Sequence, residues 1–246
     1  MLYKAFLFFR SLVFWLVFFV STIIFAPLAL LTFPLSVLNR YRFIRQWAGF
    51  NIWWLKITCG VKYEVKGKEN LPEGGMLFLA KHQSTWETMA FQQILPPHVW
   101  VLKRELFKIP FFGWGLKMLK PIAIDRSAGR RAVEQLTDQG IKKLDSGWSV
   151  MIFPEGTRVK PGTEVRYKLG GSILASQAKF PIVPVAHNAG EFWPKHSFIK
   201  YPGTITVIIG EPVKGYGRKP EEINEEVKTW IESQMELISD KARWNR

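Results

Sequence analysis

His82 and Glu87 are the residues whose types and spacing first suggest chemistry. An imidazole can take and return a proton near neutral pH, and a nearby carboxylate can orient it and stabilise the imidazolium. Both lie in the stretch Lys81-His82-Gln83-Ser84-Thr85-Trp86-Glu87-Thr88. The apolar run Met76 to Ala80 before it reads as a buried strand, bounded upstream by Pro72, Gly74 and Gly75. After it, Met89, Phe91, Ile94 and Leu95 fall at helical spacing. A strand-to-helix turn is therefore predicted, the place where α/β proteins gather reactive side chains beside free helical N–H groups. The same residues also fit a capping box, with Ser84 as the cap and Glu87 reaching back to its backbone N–H. The pattern alone leaves both readings open.

Other predicted strand ends carry cations. Residues 149–153 form an apolar run that Pro154 stops and Gly156 turns, leaving Arg158 where a guanidinium can clamp a phosphate with two parallel hydrogen bonds. Lys103 and Arg104 follow residues 99–102, and Arg126 follows residues 122–124. Each also reads as a solvated loop cation, Arg158 beside Glu155 and Arg126 beside Asp125. Phe180 to Val185 is a proline-edged strand that reads as wall. The chain has no G-x-S-x-G, no Walker A loop and no G-x-G-x-x-G after a strand; His98, His187 and His196 stand apart, with no pair at metal-ligand spacing. Its basic residues are scattered among apolar runs rather than striped along one helix, which argues against nucleic-acid binding.

The elements that must hold these residues follow from periodicity. Strands are predicted at 61–65, 76–80, 99–102, 122–124, 149–153, 182–186 and 204–209. The clearest helices are 128–145, with Ala132, Val133, Leu136, Ile141 and Leu144 on one face, and 221–242, with Ile223, Val227, Trp230, Ile231 and Ile238. Such alternation indicates an α/β layer fold. No charged residue occurs from Ser11 to Asn39, whereas Lys4 and Arg10 precede that run and Arg40, Arg42 and Arg45 follow it. This length suits a bilayer, and the run is too long and too aromatic for a signal peptide. Pro27 and Pro34 are each expected to break or kink a helix, giving either one span or two half-buried helices in one leaflet. The flanking cations favour a return to the cytoplasmic face. Residues 40–58 are expected to form an amphipathic helix, Phe43, Ile44, Trp47, Trp54 and Ile57 alternating with Arg42, Arg45 and Lys56. That mixture suits the headgroup zone, although an ordinary core helix fits as well. The chain thus divides into a membrane-anchoring segment, 1–58, and an α/β domain, 59–246. A net charge of +14 implies an anionic partner, and the lone Cys59 excludes an internal disulfide.

In combination and in this order, the blocks resemble the glycerolipid acyltransferase family, which includes the bacterial 1-acyl-glycerol-3-phosphate acyltransferases. The family's first block is a His followed after four residues by an acid, here His82 and Glu87; the family acid is usually Asp, and Glu is a departure. The second block is matched by Lys103, Arg104, Leu106, Pro110 and Gly113, the third in full by Phe153 to Arg158, and the fourth by Pro181 to Pro184. The resemblance spans roughly residues 60–215.

It implies a glycerol-3-phosphate acyltransferase-like fold, a single α/β domain with a central mixed sheet of about seven strands flanked by helices, plus the membrane-embedded N-terminal helices. It implies acyl transfer from an acyl carrier protein or coenzyme A thioester to the 2-hydroxyl of lysophosphatidate, with His82 as general base and Glu87 as its orienting acid. The acceptor phosphate falls to Lys103, Arg104, Glu155, Gly156, Thr157 and Arg158, with Ser84 and Arg126 as secondary residues. Backbone N–H groups of the 82–85 turn are expected to serve the oxyanion. A thioester is already activated, so no metal or other cofactor is implied; the partners are the donor, the acceptor and membrane phospholipids, at the cytoplasmic face of a bacterial inner membrane. Two alternatives stay open: another acceptor, such as glycerol 3-phosphate or a lyso-ornithine lipid, and a non-enzymatic lipid-binding protein whose His82 turn is only a helix cap.

Overall fold

The structure, a computed structural model, describes residues 2–110, 112–125 and 128–244. Seven strands form one sheet: β1 (Val61–Lys66), β2 (Leu77–Ala80), β3 (His98–Lys103), β4 (Ile122–Ile124), β5 (Ser149–Ile152), β6 (Ile182–His187) and β7 (Gly203–Ile209). Their order is β1-β7-β6-β2-β5-β3-β4. Neighbours run parallel except β6 and β7, which pair antiparallel from Val185↔Ile209 to His187↔Val207, so the sheet is mixed as expected. Each of the seven predicted apolar runs is a strand.

Buried parallel strands are apolar on both faces, and β2 shows why. Phe78 and Ala80 enter one core cluster, Leu77 and Leu79 the other. Helices α3 (Trp86–Ile94) and α4 (Phe112–Met118) lie on the first side, together with two N-terminal helices. The second side is covered by α5 (Arg130–Asp145), α6 (Gly170–Gln177) and α7 (Pro220–Ile238). Ala132, Leu136 and Leu144 of the predicted α5 stripe are buried, with Val133 and Ile141 half-buried. Gly140 lets α5 meet α6 closely: a Cβ there would stand 2.6 Å from Leu174 Cδ2. Pro220 opens α7 with Glu221 and Glu222 in its first turn, where a missing N–H is harmless and negative charge meets the positive end of the helix dipole.

The crossovers locate the site. The chain leaves β2 through α3 on one face to reach β3, and leaves β5 through α6 on the other face to reach β6. Since β2 and β5 are parallel neighbours, registered at Leu77↔Val150, the connections part between them and leave a crevice at their carboxyl ends. His82 follows β2 and Arg158 follows β5.

The N-terminal helices are α1 (Leu2–Leu31) and α2 (Val37–Cys59). They pack antiparallel: Phe25 stacks on Phe43, Trp47 Nε1 donates to Ser21 Oγ (3.2 Å), and Arg10 Nε donates to the Thr58 carbonyl. Pro34 lies in the turn between them, as expected, whereas α1 runs on through Pro27. That proline withholds one hydrogen bond near the helix end, and the buried Ala26 and Ala29 keep the final turns packed. Ser36 caps α2, its Oγ accepting from Asn39 N (3.3 Å), and Gly60 ends it at φ 69°. The inner edge of α2 buries Tyr41, Ala48, Ile52 and Leu55, while Phe50, Trp53 and Ile57 are exposed, so its two faces answer to the two readings of residues 40–58.

α1 is long and apolar enough to cross a membrane, yet its inner edge is docked on the α/β domain. Phe14 is fully buried, edge-on to Trp193 at 5.3 Å. Ser11 Oγ accepts from Lys200 N (2.9 Å), and the Lys200 ammonium sits 3.8 Å from the Trp15 ring centre. The outer edge exposes Leu2, Phe6, Phe9, Phe19, Ile23 and Leu31. Truncating a buried Phe to Ala typically costs about 3–5 kcal/mol. Phe14→Ala is therefore expected to lower the urea midpoint of the detergent-solubilised protein by a corresponding amount; an unchanged midpoint would mean that α1 hangs free of the sheet.

Candidate active site

Glu87 holds the turn after β2 together through one oxygen. Its Oε1 accepts from His82 Nδ1 (2.8 Å), Gln83 N (2.9 Å) and Ser84 N (2.7 Å), and its side chain is fully buried. The capping role and the imidazole-orienting role thus fall on the same atom, and neither reading displaces the other. Ser84 adds a second cap, its Oγ accepting from Trp86 N (3.2 Å). Burial pushes the Glu87 carboxyl up, but His187, the His82 ring and the Ser84 amide outweigh it and hold the group below the usual carboxylate range. A charged acceptor on Nδ1 selects the tautomer with its proton there, which leaves the Nε2 lone pair free to act as a base. The ring is also clamped flat on Phe153 (3.9 Å between centres, 7° between planes), and Phe153 stacks in turn on Trp100.

The loop after β5 closes the other side. Gly156 takes φ 71°, and its N–H returns to the Phe153 carbonyl (3.0 Å), turning the chain sharply. Val159 N then donates to the His82 carbonyl (2.8 Å), tying the two strand ends together. Arg158 Nη1 donates to Thr85 Oγ1 (2.7 Å), which sets the guanidinium at the start of α3 beside His82. His82, Thr85, Lys103, Thr157 and Arg158 edge a cavity of about 500 Å³ whose remaining wall is mostly apolar, with Met89, Trp100, Leu102 and Phe153. Phe18, Phe25, Ala26 and Ala29 of α1, Ile44 and Trp47 of α2, and Leu116 of α4 complete it.

The expected phosphate group is only partly assembled. Lys103, Gly156, Thr157 and Arg158 line the cavity; Arg104 starts a 3-10 turn, Arg104–Lys108, and is exposed outside it. Glu155 turns inward instead. Its Oε2 accepts from His82 N (2.6 Å) and its Oε1 lies 2.8 Å from Lys81 Nζ, so a buried carboxylate holds the histidine backbone rather than facing an anion. Three of the turn's amides are also committed, those of Gln83 and Ser84 to Glu87 and that of His82 to Glu155, which removes those three as donors to an oxyanion. Arg126 lies outside the described residues.

Several positioning residues escaped the sequence reading. His187, at the end of β6, is buried, which pulls its pKa down against the attraction of Glu87, and its Nε2 donates to the Lys81 carbonyl (2.8 Å). Gln83 Oε1 accepts from Gly190 N (3.1 Å), and Lys81 Nζ also meets Glu232 Oε1 of α7 (2.8 Å). Lys81 was detectable: strand alternation aims it at the side opposite His82, where a lysine requires a carboxylate.

A base-poised histidine beside cations and an apolar cavity is an arrangement for chemistry on an amphiphilic anionic substrate, and comparison with known proteins gives the class. A family model described as Acyltransferase matches residues 62–188. A 1-acyl-sn-glycerol-3-phosphate acyltransferase from Pseudomonas aeruginosa is 44% identical over 94% of this chain and 91% of that protein. A chloroplastic protein of the same name, BAT2 from Brassica napus, is 30% identical over 94% of this chain and 68% of its own length. The chain belongs to the Acyltransferase family. Its fold matches the crystal structure of the 1-acyl-sn-glycerophosphate (LPA) acyltransferase PlsC from Thermotoga maritima with a TM-score of 0.76 over 95% of this chain and 97% of that one, at 23% identity.

Glu87→Gln separates the two duties of Oε1. The amide oxygen still caps Gln83 and Ser84, so stability is expected to change by about 1 kcal/mol. Losing the charge opposite an imidazolium is expected to lower turnover on the order of ten-thousandfold, as the equivalent change does in a hydrolase triad. Melting temperature read against turnover checks this, and wild-type turnover in the Gln variant would reduce Glu87 to a cap.

Proposed function

We propose that this protein transfers a fatty acyl group from a thioester, of acyl carrier protein or coenzyme A, to the sn-2 hydroxyl of 1-acyl-glycerol-3-phosphate, giving phosphatidic acid. The observation that carries the reading is the single cavity in which the free Nε2 side of His82 shares a mostly apolar wall with Arg158 and Lys103. A lysophosphatidate has the matching parts: a hydroxyl to deprotonate, a phosphate for the cations and an acyl chain for the wall. The names of the relatives from Pseudomonas and Brassica support the same acceptor.

In this mechanism His82 Nε2 removes the hydroxyl proton as the oxygen attacks the thioester carbonyl. Glu87 stabilises the imidazolium that forms, and the tetrahedral intermediate collapses with cleavage of the carbon–sulfur bond. The imidazolium returns its proton to the departing sulfur, so the histidine is ready for another turn. Arg158, already aimed by Thr85, holds the acceptor phosphate with Lys103. Thr157 and Gly156 border the same space, and Glu155 acts behind it.

The exposed apolar edge of the α1–α2 hairpin supports seating in a single leaflet. An α1 docked along its inner edge from Leu7 to Ala29 cannot stand across a bilayer without drawing the α/β domain in with it. We place the domain at the cytoplasmic face of the inner membrane, where both lipids reside.

His82→Ala is expected to lower turnover about 10²–10⁴-fold with the fold intact. Arg158→Ala is expected to raise the KM for lysophosphatidate about ten- to a hundredfold, from the loss of charge-assisted bonds of about 1.5–3 kcal/mol, and to leave the donor KM nearly unchanged. Purified enzyme in detergent, assayed with acyl-carrier and coenzyme A thioesters separately, gives these numbers. An equal rise for both substrates would move Arg158 away from the acceptor, and wild-type activity of His82→Ala would end the mechanism.

A further inference from the structure

His82 is held from two sides. Glu87 aligns its ring, while Glu155 holds its backbone from beneath the strand end. Alternation sends Lys81 to the α6–α7 side, where its side chain is 5% exposed and meets two carboxylates, Glu155 Oε1 and Glu232 Oε1, each at 2.8 Å. Tyr167 OH donates to the same Glu232 oxygen (2.7 Å), and the Lys81 ammonium lies 5.8 Å from the Tyr167 ring centre. A continuous polar path therefore runs from Tyr167 through Glu232, Lys81 and Glu155 to the His82 amide.

The charges explain why each member is needed. Burial works against the Lys81 ammonium, but Glu155 and Glu232 outweigh it and keep Lys81 firmly protonated. Burial pushes the Glu155 carboxyl up to about 7 even against the opposing pull of Lys81 and the His82 amide. The ionisable groups facing Glu155 are Lys81 from the turn after β2, Glu232 from α7 and Tyr167 from the segment before α6. Without Lys81, two carboxylates would face each other with no cation between them. The buried Glu155 would then take a proton, and a neutral carboxyl is a weaker acceptor for an amide N–H. The hold on His82 thus depends on a charge located on the far side of the sheet.

We propose that Lys81, Glu155 and Glu232 form an ionic strut, buried at Lys81 and Glu155 and half-exposed at Glu232, that positions His82 through its backbone amide and couples the catalytic turn to the C-terminal helix; this rests on reading His82 as the base. The three are positioning residues, since none of them lines the cavity.

The test uses the full-length enzyme in detergent with Lys81→Met, Lys81→Arg, Glu155→Gln and the double variant Lys81→Met/Glu155→Gln. Displacing a base by a fraction of an ångström costs up to about a hundredfold in rate. Lys81→Met is expected to lower kcat about ten- to a hundredfold with both KM values within about twofold, and to move the acid limb of the kcat profile upward in pH. Lys81→Arg is expected to restore much of kcat. The double variant, which has no titrating group at 155, is expected to lack the shifted limb. A Lys81→Met enzyme with wild-type kcat and an unmoved acid limb overturns the strut, as does a double variant that keeps the shifted limb. His82→Ala, assayed in parallel, tests the base assignment separately. If that variant stays active, the His82 amide proton resonance decides the strut: it is expected far downfield in wild type and displaced in Glu155→Gln, and no displacement overturns it.

Discussion

A single buried carboxylate oxygen, Glu87 Oε1, is the point on which the site depends. Three donors converge on it, two from the backbone before α3 and one from the His82 ring. Gathering them around one charge makes the start of the helix and the orientation of the His82 ring a single event, so the turn cannot form correctly with the histidine misplaced. The residue type matters to this geometry. Glu87 is the second residue of α3, and its longer side chain reaches back over a full turn to residues 82–84.

The sheet separates two kinds of surroundings. On the side of α1 to α4, β2 and β5 deliver His82 and Phe153 to an apolar cavity edged with cations. On the side of α5 to α7, the same strand ends deliver Lys81 and Glu155, both buried, to an ionic cluster that reaches the surface at Glu232. Residues adjacent in sequence thus do opposite work, because successive side chains of a strand leave by opposite faces. The cavity side has room for a ligand, and the other side is covered by α7.

How much of this was legible follows from the range of each interaction. The strands and the longer helices were visible because burial imposes periodicity over many residues. The His82–Glu87 pair was visible because both members lie on one turn. Glu155 was misplaced among the phosphate residues: its position in the chain says that it flanks Arg158, and only the fold says that it faces Lys81. Glu232, 151 residues from Lys81, gives no local signal at all. The passage of α1 through Pro27 belongs to the same class, since local propensity was overruled by tertiary packing of Ala26 and Ala29. Committed backbone amides are likewise invisible in a sequence, because a hydrogen bond has no residue code.

The N-terminal hairpin supplies Phe18, Phe25, Ala26, Ala29, Ile44 and Trp47 to the cavity wall. It is therefore not a detachable tether, and the chain is less modular than its division into an anchor and a domain suggests. Exchanging the hairpin between homologues would transplant part of the cavity wall, and the graft would succeed only where Met89, Trp100 and Leu116 match the incoming shape. Inheritance is constrained in the same way. A substitution at the exposed outer edge of α1 is free to drift, whereas one at its inner edge must be answered in α2, in α4 or around Trp193 and Lys200, so drift in the hairpin and change in the domain are linked.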